Sequence, residues 1–217
     1  MADTKKNFTT PVGRVVAGSL YKPKTTDIEG KPLVYRHGPN INQPKVDYFF
    51  ALALPKGAEK HWAETAWGQL IWAVGHTCFP QAAQSPSFAW KVEDGDSQVP
   101  NSKGRKPSDH EGYPGHWILK TSGGYAPKIY IQEVNALPVQ TTQEDFIKAG
   151  YYVQVVITVD GNGSDLKPGV KLYHSMVCLR GYGKEISFGP DVASAGFGAA
   201  PLPAGASALP LASSVPM

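Results

Sequence analysis

A chain of 217 residues with 41% hydrophobic and 18% charged residues is long enough for one main domain with a sizeable core. A net charge of +3 excludes a histone-like polycation, and 23 Gly with 19 Pro favour a turn-rich, β-dominated chain. Cys78 and Cys178 form no C-x-x-C pair, which argues against a cysteine-built zinc site and for two free thiols.

The opening MADTKKNFTT is a polar arm without the apolar run of a signal peptide. A first strand is expected over 12–20. Residues 23–44 read as a long basic loop with a short strand at 33–36. Residues 1–60 hold ten Lys/Arg against five Asp/Glu, a balance suited to a phosphate-facing groove. Over 46–54, Val46, Tyr48, Phe50, Leu52 and Leu54 share one face, Asp47, Phe49, Ala51 and Ala53 the other. Pro55 closes that strand.

A helix is predicted over 58–77, with Ala63, Trp67, Leu70, Ile71 and Val74 as its apolar stripe. Trp62 and Trp72 flank the stripe, because a five-residue spacing rotates successive rings off one face. Residues 79–115 are loop-dominated, with a short strand at 88–92 and a polar loop carrying Lys103, Arg105 and Lys106. Runs 117–121 and 128–134 suggest a hairpin around Ser122-Gly123-Gly124-Tyr125. Residues 142–148 suggest one or two helical turns. Runs 151–159 and 170–179 suggest a final hairpin around Asp160-Gly161-Asn162-Gly163, with Tyr152 outward. In 170–179 the inward face is ambiguous: Leu172 and Met176 argue for one, Val177 and Leu179 for the other.

Residues 192–217 contain no charge and are dominated by Ala, Pro, Gly and Ser, a flexible tail. No stretch reads as a spanning helix, so membrane insertion is not expected. The predicted fold is mainly β: an OB-fold barrel of five or six strands with one inserted α-helix and extended loops, over residues 1–191.

No nucleotide-binding glycine motif, nucleophile elbow or H-E-x-x-H pair occurs, so no enzyme activity and no cofactor are expected. Asp94, Asp96 and Glu111 make the sharpest acidic cluster and leave a metal-dependent nuclease as a weaker alternative. Rings and cations on the predicted strands carry the binding signal. The candidate contacts are Lys45, Phe49, Trp117, Lys120, Tyr125, Lys128, Tyr130, Tyr152, Tyr173 and Arg180, with Lys171, Tyr182 and Lys184 nearby. Stacking on two or three such rings suffices for useful affinity to a single nucleic-acid strand. A structural or adhesion module that binds protein or glycan would use the rings without the lysines.

Three segments, FTTPVGRVVAGSLYKP, KVDYFFALALPKG with the Trp-rich run after it, and G-x-x-V…D-G-N-G…K-P-G-V-x-L…C-L-R-G-Y-G-K-E, occur in order across residues 8–191. In this the chain resembles the OB-fold single-stranded DNA-binding proteins of tailed bacteriophages. The resemblance implies a cytoplasmic, non-enzymatic protein of phage DNA replication or recombination that coats single strands without sequence preference. It implies single-stranded DNA as partner, phage replication proteins and a homo-oligomer as further candidates, Lys45 as a basic contact opening the second strand, and Trp117 with Lys120 in the cleft. The uncharged tail departs from the acidic tail common among such proteins and points instead to apolar contacts through Leu209, Leu211 and Val215.

Overall fold

The computed structural model describes residues 4–27, 29–35, 40–101, 104–132 and 136–187. Among them lie nine strands: β1 (Lys6–Thr9), β2 (Gly13–Gly18), β3 (Tyr48–Pro55), β4 (Val92–Asp94), β5 (His116–Gly123), β6 (Lys128–Ile131), β7 (Val139–Thr141), β8 (Tyr152–Gly161) and β9 (Val170–Gly181). One α-helix, α1 (Ala66–Cys78), joins β3 to β4. The strands form one sheet in the order β4-β5-β3-β2-β8-β9-β6-β7, with β1 paired to β8. The fold is the expected mainly β, OB-like domain with a single helix.

Five strands make the barrel wall. β2 pairs with β3 and β8, β3 with β5, and β8 with β9. β9 then returns to β5 through side chains. The Thr121 hydroxyl donates to the Phe50 carbonyl (3.0 Å) and lies 3.2 Å from Nδ1 of buried His174, so one hydroxyl links β3, β5 and β9. This is the closed five-strand connectivity of an OB barrel. Phe50, Leu52 and Leu54 meet Val153, Val155, Ile157 and Val159 in the interior, as strand alternation requires. Ala51 and Ala53 on the outer face are buried too, under Tyr113 and Ile186.

A bulge resolves the ambiguous face of β9. Val156 pairs with Met176, but Ile157 pairs with His174, which leaves Ser175 as an extra residue. The inserted residue resets the alternation. Leu172 and His174 before it, and Val177 and Leu179 after it, therefore all face inward, while Met176 turns out.

The helix starts later than the sequence suggests. Trp62–Glu64 form a 3-10 turn, and Thr65 caps α1 by accepting the Gly68 N–H at 3.0 Å. Trp67, Ile71 and Val74 form the buried stripe. Trp62 is freed from the helical spacing and stacks on Trp67 at 16°. Trp72 stacks on Trp90 at 4.7 Å and 7°, and His76 adds to the same cluster. Among the described residues, no helix is long and apolar enough to cross a membrane.

Other local expectations give way to long-range pairing. The N-terminal arm is strand β1 on β8. The short strand expected at 88–92 forms later, as β4. β5 and β6 do not form a hairpin: β6 runs parallel to β9 and antiparallel to β7. The Gly123-Gly124 turn signal is not used: β5 runs through Gly123, and the connection ends in Pro127, which has no N–H to donate. Residues 142–148 contain turns and no helix; Ile147 is buried and donates its N–H to the Tyr21 hydroxyl at 2.9 Å. Isolated bridges Lys24–Asp47 and Val34–Pro44 stitch the basic loop. Arg36, Lys103, Val134 and the tail at 192–217, with Leu209, Leu211 and Val215, lie outside the described residues.

Arg14 of the N-terminal motif donates to the carbonyls of Gly150 (3.1 Å) and Lys184 (2.7 Å). Gly150 has φ 102°, and a Cβ there would lie 2.0 Å from the Lys184 carbonyl oxygen. The glycine opening the β8 segment is thus a packing requirement.

Candidate nucleic-acid interface

Outward residues of β3 and β5 form the floor of an open face. Phe49 and Lys120 line a groove of about 290 Å³ with Ala17, Glu93, His110 and Tyr113. A second depression of about 450 Å³ lies against the basic loop just before β3, lined by Lys24, Thr26, Asp27, Leu33 and Asp47. Lys24 holds its ammonium 4.1 Å above the Phe49 ring. Lys120 pairs with Glu93 at 2.7 Å.

Lysines from four separate segments converge there. The Asp47 carboxyl is pushed up by burial, and Lys45, Lys24, Lys171 and Lys91 pull it back down. The Lys91 ammonium is lowered by desolvation, then by repulsion from Lys120 and Lys171, although the residue as a whole is exposed. Lys24, Lys45, Lys91, Lys120 and Lys171 thus share one electrostatic neighbourhood, with Asp47, Glu93 and, beside Lys24, Asp27 as counter-charges. Like charges held together without enough partners repel, and a polyanion relieves that repulsion.

Of the residues expected from sequence, Lys45, Phe49, Lys120 and Tyr173 belong to this neighbourhood; Tyr173 lies under Lys171, whose ammonium is 5.8 Å from its ring. Lys45 precedes β3 instead of opening it, anchored by its N–H to the Leu33 carbonyl at 2.8 Å. Trp117 is corrected: it is 4% exposed, inside the barrel, with the Lys56 ammonium 4.3 Å from its ring. Alternation puts it in register with Leu54 on the inward side, so it presents no free ring face. Tyr125, at 88% exposure, stands on the β5–β6 connection. Lys128, Tyr130 and Arg180 lie on a different face, that of β6 and β9, and Tyr152 is on β8 at 40% exposure. Lys24 and Lys91 were not among the expected contacts. Lys24 carried the signal of the basic loop; Lys91 is an isolated lysine before a three-residue strand and carried none.

The acidic cluster is used internally. The Lys56 ammonium hydrogen-bonds both Asp94 and Asp96 (2.7 Å to Asp96), and Asp96 also accepts the Gly115 N–H at 2.7 Å. Lys56 and that N–H hold the Asp96 carboxyl below its usual range. A fixed ammonium occupies the place a cation would take. Among the described residues no three His, Cys, Asp or Glu side chains are placed to hold a metal.

No protein-family model and no curated protein matches the sequence. Solved structures do match. The single-stranded DNA-binding protein of bacteriophage Enc34 in complex with ssDNA superposes with a TM-score of 0.59 over 83% of this chain and 89% of that one, at 16% identity. The same phage protein without DNA gives 0.57 over 87% and 89%, at 17% identity. The chain has the fold of these phage proteins. A C-terminal truncation of the Enc34 protein agrees, with a TM-score of 0.56 over 83% of this chain and 88% of that one, at 14% identity.

Proposed function

We propose that the protein binds single-stranded DNA without sequence preference, as a non-enzymatic coat for strands exposed during phage DNA replication or recombination in the host cytoplasm. The observation that carries the reading is the convergence of Lys24, Lys45, Lys91, Lys120 and Lys171 around Phe49 and Tyr173. In OB barrels the face of the second and third strands, with the loops between strands one and two and between four and five, takes oligonucleotides. Here those parts are β3, β5, the basic loop and the loop before Lys171. Rings stack on bases of any identity, and ammonium groups meet phosphates.

The binding unit is residues 1–191, and 192–217 is a separate uncharged tail. The matched phage single-stranded DNA-binding protein, solved with ssDNA, supports the reading at the level of shared architecture. The test is a fluorescence or anisotropy titration with single-stranded and duplex oligonucleotides at two salt concentrations. Tight single-strand binding that weakens as salt rises is expected. Absence of single-strand binding at low salt refutes the reading. DNA cleavage that needs Mg²⁺ and disappears in Asp94→Ala would favour a nuclease instead.

A further inference from the structure

The β8–β9–β6 face carries a second groove, of about 380 Å³, set apart from the lysine cluster. Its apolar floor is Val156 and Met176, with the Tyr130 ring on one side and Gln154 and Arg180 on the other. Tyr130 pairs in register with Cys178, and Lys128 with Met176, so ring, thiol and ammonium lie side by side. Among the described residues, the groove lining contains no carboxylate. Among the described residues, Arg180 donates to the neutral amide oxygen of Gln154, at 2.5 Å, and to no carboxylate. An apolar floor beside a ring, amide groups and a guanidinium is the chemistry of a nucleotide site: base on ring and thioether, phosphate on Arg180.

The groove also joins the first face. The outward residues of β9 run from Lys171 and Tyr173, past the Ser175 bulge, to Met176, Cys178 and Arg180. That stripe is about 30 Å long at roughly 3.3 Å per residue. The β5–β6 connection exposes Tyr125.

We infer that a single strand bound on the β3–β5 face continues along the outside of β9 and places a nucleotide in the Tyr130–Arg180 groove. The inference rests on the single-strand reading above and adds a second subsite to it. Cys178 in the groove wall is a built-in reporter, and Cys78→Ser leaves it as the sole thiol of the chain.

In Cys78→Ser protein, the rate of Cys178 alkylation is measured free and saturated with single-stranded oligonucleotides of about 4 and about 16 nucleotides, the range of OB-fold site sizes. Anisotropy confirms saturation. The long strand should slow alkylation about tenfold or more and the short one should leave it unchanged. Tyr130→Ala and Arg180→Gln should each weaken the long strand about tenfold and spare the short one, the loss expected of one stacked base or one charge-assisted contact. Equal alkylation rates with and without the long strand overturn the inference while leaving single-strand binding intact. So do variants that weaken short and long strands alike. Alkylation already slow in the free protein and faster on dilution assigns the groove to a second copy. No binding of either strand overturns both readings.

Discussion

Phe49 and Trp117 lie on paired strands and face opposite sides of the barrel wall. Phe49→Ala should weaken single-strand binding by about 1–3 kcal/mol, the worth of one stacked base, with a small change in urea midpoint. Trp117→Ala should instead cost about 3–5 kcal/mol of unfolding free energy, as large cavities in cores do. Equal stability losses in the two variants would contradict their placement. His174 adds a pH dependence. Burial lowers its pKa from 6.5 to about 4, with the Tyr125 carbonyl pulling the other way. Between those values the unfolded chain binds a proton that the native protein does not. Stability is therefore complete above pH 6.5 and falls as pH drops toward 4, by about 3 kcal/mol in all. In His174→Phe, unfolding measured across that window should lack this component. A wild-type-minus-variant difference that is flat with pH counts against it.

At the scale of elements, alternation is local and was readable; the Thr65 cap that sets the start of α1, and the pairing partners, were not. The inward face of β3 follows from Phe50, Leu52 and Leu54 alone. The hairpin expected around Gly123-Gly124 fails because β9 supplies β6 with a parallel partner from nearly fifty residues away in sequence, and no local residue pattern encodes that competition. The β9 bulge was present in the sequence only as a contradiction, with Leu172 and Val177 pointing to different faces. Deleting Ser175 should remove the bulge and leave Leu172, His174, Val177 and Leu179 in regular inward alternation, so the variant should still unfold cooperatively. A deletion variant that loses cooperative unfolding would count against Ser175 being the extra residue. Thr65→Ala should cost about 1 kcal/mol, the worth of a helix N-cap, in a denaturant titration.

Over the whole molecule, the proposed binding rests on charges distant in sequence. With phosphates meeting the lysine cluster, log K falls linearly with log salt, and each lost contact makes the slope shallower by about 0.7 for single strands. Lys24→Gln and Lys171→Gln should each show that change. Lys148→Gln should not, since Lys148 is on another part of the surface and paired with Glu185 at 2.7 Å. Unchanged slopes in the first two variants would move the phosphate path elsewhere.

The sequence by itself determined the fold class, the final hairpin, the inward face of β3 and the presence of rings and cations on strands. These depend on residue periodicity and turn chemistry, which act over a few neighbours. Which rings are free and which lysines meet was decided by tertiary structure. Barrel closure turns Trp117 inward, Lys56 is drawn to Asp94 and Asp96, and Lys24, Lys91 and Lys171 arrive at one face from three segments. Electrostatic repulsion and ring burial depend on distance in space, and only the folded chain sets those distances.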